Sequence, residues 1–223
     1  RNDRRQDALS PIVKAINNPN LILLRNAGET RLDDRFCLNV LSVFDDCNWT
    51  DPTDYDAVNI ALYHGAIDRS TTDSNWTLGG DHDITIFEEF DFAFLGDIHK
   101  TQQLDKEGRI WYAGSTVQQN FGETLDKGYL LWDIEDKDTF STRLITFQNP
   151  KPFVTLTLTQ KGNLPRAKPP EGARLRIVSK DNVSLDKVRK AVDIAKFKYN
   201  PESVTYLNRA AAQKIKVAAP EGL

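Results

Sequence analysis

The stretch FAFLGDIHK, Phe92 to Lys100, is apolar until it meets a glycine and then presents Asp97 and His99 one residue apart. A second apolar run, AVNIALYHG from Ala57 to Gly65, ends on His64. Imidazole and carboxylate oxygen suit divalent Mn, Fe or Zn. Two such ions held together are a common apparatus for phosphoester hydrolysis. One lowers the pKa of a bound water, and both neutralise charge that develops on the phosphate. A strand-end histidine also serves as an ordinary structural hydrogen-bonder, so YHG or GDIH taken singly does not separate the two readings. Their succession on consecutive apolar runs weighs more than either.

Both runs read as buried strands, and an α/β sheet commonly places its site at the carboxyl ends of such strands. On that reading His64, Asp97 and His99 should converge at one sheet edge. The remaining histidine, His82, lies in GDHD (Gly80 to Asp83), within a polar loop over residues 66–83. A loop of that length is long enough to raise a functional question. A polar loop ahead of the next element is the commoner meaning of so short a motif, so His82 stays outside the metal set, although it could reach substrate from this loop. Ahead of these runs, Asp7 to Ile16 shows helical spacing of Ala8, Leu9, Ile12, Val13 and Ile16. LILL (Leu21 to Leu24) reads as a short buried strand, and a hairpin is expected around Gly28. Phe36 to Phe44 forms its long strand, and Asp45 to Asp56 is loop. Arg109 to Ser115, Lys127 to Glu135 and Thr142 to Phe147 read as further strands.

The texture changes at Asn149-Pro150-Lys151-Pro152. FVTLTLTQ (Phe153 to Gln160) alternates apolar residues with threonine, the period of a half-exposed strand. ARLRIVS is a strand, Ser184 to Phe197 is a helix with Ser184 as its N-cap, and SVTYLN is a last strand. Residues 1–150 therefore read as one domain and 151–223 as a small β-β-α-β module.

The succession YHG, FLGDIHKTQ, YAGSTVQQNFGE and KGYLLWDI resembles the calcineurin-like metallophosphoesterases, and among them the SbcD-type DNA repair nucleases with their phage-borne relatives. The resemblance covers about residues 1–150. It implies an α/β fold, a β-sandwich flanked by helices, with residues 151–223 as part of a small α/β capping domain. It also implies a metal-dependent DNA exo/endonuclease of repair or recombination that uses two divalent ions, Mn by preference. His64 and Asp97 would bind one ion and His99 the other. Asp97 stands where the family has a histidine, which bears on metal preference. Lys100, Ser115 and Gln118 are weaker candidates for substrate contact. The family's remaining ligands and its catalytic histidine would lie ahead of Arg1, so the chain reads as a fragment. The implied partners are DNA, an SbcC-type ATPase subunit and a second copy in a homodimer. Alternatives are a phosphatase acting on another phosphoester and a catalytically degenerate scaffold subunit.

Composition narrows the classes. The net charge of −3 gives no global basic signature, so contact with nucleic acid must come from a local patch. A basic excess does occur at Lys161, Arg166, Lys168, Arg174, Arg176, Lys187, Arg189 and Lys190. Two cysteines argue against a disulfide framework and fit a cytoplasmic setting. No apolar run approaches membrane-spanning length.

Overall fold

A computed structural model describes residues 7–209. The chain divides into two compact units. One comprises the residues up to Thr116 together with Asp126–Phe147, and the other comprises Val117–Leu125 together with the chain from Gln148 onward.

The first unit is built on a six-stranded sheet. Its strands are β1 (Gly28–Arg31), β2 (Phe36–Leu41), β3 (Val58–His64), β4 (Phe92–Gly96), β5 (Gln102–Gln103) and β6 (Ile110–Tyr112), in the order β1-β2-β3-β4-β6-β5. The inner strands β2, β3, β4 and β6 run parallel, and β1 and β5 close the edges antiparallel. Apolar residues on successive positions of β3 serve both faces. Ala61 and Tyr63 join a cluster with Leu41, Ile67, Phe87, Leu95 and Tyr112, whereas Val58 and Ile60 join one with Phe92. A separate hairpin of β7 (Gly128–Ile134) and β8 (Phe140–Thr146) covers part of that second face with Trp132, Ile134 and Phe140. Removing side chains of this size from water contributes about 1.5–3 kcal/mol each, which explains why uninterrupted apolar runs became the central strands.

The second unit is a three-stranded parallel sheet, β11-β10-β9, formed by β9 (Phe153–Thr157), β10 (Arg174–Ser179) and β11 (Ser203–Asn208). Helix α2 (Leu185–Tyr199) buries Val188, Ala191, Ala195 and Tyr199 against Leu156, Leu175 and Ile177. Ser184 occupies the N-cap position, but its hydroxyl makes no capping bond. Val117–Leu125 belongs here because the Gln118 amide holds the start of β9 and Phe121 packs edge-on against Phe153.

The expected fold class is corrected by this architecture. Among the described residues strands predominate, in three separate sheets, and there are two helices, α1 (Leu9–Ile16) and α2. This is not a helix-flanked sandwich. Parallel strands are usually joined by helical crossovers that cover the sheet. Here residues 42–57 and 65–91 make those connections as loops with single 3₁₀ turns at Asp46–Asn48 and Ile84–Phe87. Their Asp, Asn, Pro and Thr content favours local side-chain-to-backbone bonds over helix. Asp83, for example, accepts from the Thr85 amide at the start of the second 3₁₀ turn. The expected strand at Leu21–Leu24 is absent as well. Those residues form no ladder, and Leu21 and Ile22 are exposed. Helix α1 has the expected spacing, yet none of its residues is buried.

Candidate metal-binding strand ends and the loop behind them

Strands β3 and β4 pair in parallel with His64 opposite Gly96, which brings their carboxyl ends side by side. The His64 Nε2 and Asp97 Oδ1 atoms are 3.9 Å apart, and both side chains are open to solvent. Two residue types make this approach feasible. A Cβ on Gly96 would stand 2.7 Å from His64 Nδ1, so glycine leaves the space that the imidazole occupies. Asp97 holds φ at +89°, a conformation that L side chains rarely adopt and that costs on the order of 1–3 kcal/mol. That backbone turns its carboxylate toward the neighbouring strand end.

Beneath His64, Tyr112 of β6 is fully buried. Its hydroxyl donates to the Gly65 carbonyl at 2.6 Å and accepts from the Ile67 amide at 2.9 Å. Burial, more than any neighbour, pushes this phenol up to about 12. Tyr63 is raised too, first by burial and then by the carboxylates of Asp81 and Asp97, so negative charge gathers around this edge.

His99 is exposed, two residues beyond Asp97. Its carbonyl accepts from the Ser115 amide at 3.2 Å and from the Lys127 ammonium at 2.7 Å. The same ammonium meets Asp73 at 2.8 Å, with the two side chains 2% and 6% exposed. Gly114 approaches the backbone of His99 and Thr101 so closely that a Cβ would lie 3.0 Å from the His99 oxygen. The Gly-Ser segment is thus a support for the turn that carries Asp97 and His99. Lys127 and Asp73 were not singled out by sequence reasoning. The only local signal was a lysine directly before an apolar strand, and lysines there are ordinarily solvated.

The weaker candidates fall in different places. Lys100 donates to Thr71 Oγ1 and Asn75 Oδ1 at 2.9 and 3.1 Å. The Ser115 hydroxyl is buried without a hydrogen-bond partner among the described residues. Gln118 lies in the second unit, where its amide accepts from Phe153 N and donates to the Glu123 carbonyl. His82 packs in an aromatic group with Trp49 and Tyr63 at centroid distances of 4.9 and 6.2 Å.

The donor set fits a divalent ion in part. Atoms bound to one ion at about 2.0–2.2 Å each stand no more than roughly 4 Å apart, and the His64–Asp97 separation lies within that reach. Among the described residues no group of three or more His, Cys, Asp or Glu could hold an ion. The pair supplies two donors, and a full coordination shell needs others.

No protein-family model matches the chain. Over 190 residues, 79% of its length, it is 30% identical to an uncharacterized protein of Acanthamoeba polyphaga mimivirus. It spans 14% of that relative's length. Among the described residues no helix is long and apolar enough to cross a membrane.

Proposed function

We propose that the protein is a metal-dependent phosphodiesterase acting on DNA, with His64 and Asp97 as two donors to one manganese ion and His99 as a donor to a second. The observation that carries the reading is the 3.9 Å approach of His64 to Asp97 across two parallel strand ends, with Asp97 held at positive φ. Strain at a polar residue beside an exposed imidazole is typical of functional positions. Bound divalent ions would supply a water of lowered pKa and positive charge for the phosphate. The chain's own residues orient that chemistry: Tyr112 fixes the His64 turn, and Gly114, Ser115 and Lys127 fix the His99 turn.

DNA as substrate is supported by the second unit. Lys161, Lys187, Lys190 and Lys198 line a groove of about 370 Å³ that has no carboxylate among its lining residues. On a chain of net charge −3, such a local patch suits a polyanion. The order of motifs adds the rest of the reading, a cytoplasmic nuclease of repair or recombination paired with an SbcC-type ATPase.

Titration calorimetry with Mn²⁺, alongside cleavage of linear duplex DNA, tests this proposal. His64→Ala and Asp97→Ala should each weaken Mn²⁺ binding at least the roughly tenfold that even outer partners of a metal ligand cost, and any Mn²⁺-dependent cleavage should fall with it. Unchanged Mn²⁺ affinity in both variants would overturn the assignment.

A further inference from the structure

The long loop over residues 66–83 is a built structure. Thr71 and Thr77 form an antiparallel bridge, Arg69 and Leu78 pair through their backbones, and the Thr72 amide donates to the Trp76 carbonyl at 3.0 Å. Asn75 adopts left-handed backbone (φ +58°) at the tip. Three contacts fasten this hairpin to the segment that follows Asp97. Asp73 is clamped by the buried Lys127 that also holds the His99 carbonyl. The Gln102 amide pairs with both backbone groups of Thr71, at 3.0 and 2.8 Å. Lys100 reaches Thr71 and Asn75.

At the tip of this fastened loop Trp76 is 71% exposed. A single exposed apolar residue ordinarily needs no explanation. This one differs because its neighbour Asn75 is tied to Lys100, the residue next to His99, so the loop tip that carries Trp76 is fastened to the segment bearing the candidate site. A buried ion pair is an expensive way to fix a loop unless the loop's position matters.

We propose that Trp76 is a nucleobase-stacking residue, presented by the loop beside the phosphate-handling strand ends. The proposal rests on the DNA phosphodiesterase reading of that site and deepens it, because it names the residue that would hold a base of the substrate. A planar indole offers its face to any base, so the contact is tolerant of sequence. The Lys100 ammonium, bonded to Thr71 and Asn75 of the same loop, suits a nearby phosphate.

The test is fluorescence anisotropy of a labelled single-stranded DNA with the full chain in EDTA, which removes any dependence on metal. Trp76→Ala should weaken binding by about 5- to 150-fold, the range expected for loss of one base–aromatic stack, and Trp76→Phe should restore most of it. With an abasic strand the wild type and Trp76→Ala should bind alike. Equal binding of intact DNA by the two proteins, no binding by wild type, or a Trp76→Ala loss that persists on the abasic strand would each overturn the proposal. A change of oligomeric state in Trp76→Ala with DNA binding unaltered would assign the indole to a protein contact instead. Failure of the phosphodiester reading shows separately, as Mn²⁺ binding indifferent to His64 and Asp97.

Discussion

Two single residues expose the balance between stability and chemistry at the strand ends. Asp97 holds positive φ at a cost that glycine would not incur. Asp97→Gly should therefore raise unfolding free energy by about 1 kcal/mol in urea titration while removing the carboxylate and with it Mn²⁺ binding. A loss of stability instead would mean that the carboxylate's contacts outweigh the backbone strain. Tyr112 is the complementary case. Its phenol ionises near its ordinary value of 10.0 in an unfolded chain but only at about 12 when buried. The folded state then keeps a proton that the unfolded state has released. Stability is thus fully present below pH 10 and falls by on the order of 2–3 kcal/mol as pH rises toward 12. Cys37, buried and pushed up to about 11, contributes in the same direction from pH 9 upward, so the measurement belongs in a Cys37→Ala background. Tyr112→Phe should reduce the remaining slope, leaving the part contributed by Tyr63, which burial also raises. At neutral pH it should cost about 1–3 kcal/mol, because the Gly65 carbonyl and the Ile67 amide lose their shared partner.

At the scale of elements, what holds the candidate site is the joint between a loop and a strand start. Lys127 precedes β7, yet its ammonium reaches the His99 carbonyl and the Asp73 carboxylate. Breaking such a pair strands a buried charge. Lys127→Met should cost about 3–5 kcal/mol, and replacing both partners with apolar residues should recover much of that. Hydrogen exchange would locate the effect: amides of residues 66–83 and 97–101 should lose protection, while β2 and β3 keep theirs. A uniform loss across the first unit would mean that Lys127 supports the whole core and not this joint. The same logic explains why the loop carries an exposed indole without collapsing onto it. Its backbone bonds and the buried clamp hold it open.

For the molecule as a whole, each unit has its own core. Ala61, Tyr63, Ile67 and Tyr112 anchor the first, and Leu156, Leu175, Ile177 and Val188 anchor the second. Leu175 is fully buried between the sheet and α2, so Leu175→Ala should destabilise the second unit by about 2–5 kcal/mol, read as lost exchange protection in β9, β10 and β11. Retained protection would show that this sheet does not depend on the helix face for its stability. Periodicity and apolar runs, which are local properties, were enough to locate β3, β4, the alternating β9 and helix α2, along with the texture change near Pro150. They also marked His64 and Asp97, because an apolar run that stops at a polar residue is visible within a few positions. Local pattern misled at Leu21–Leu24, where apolar residues found no neighbouring strand, and in the fold class, where polar loops replaced the helices expected to cover the sheet. The support of the site lay beyond local reading altogether. Lys127 meets His99 across 28 residues of chain and Asp73 across 54, and no spacing rule links positions that only the folded backbone brings together. Which lysine becomes buried, and which tryptophan is left facing water, is decided by the packing of distant segments and not by the residues beside them.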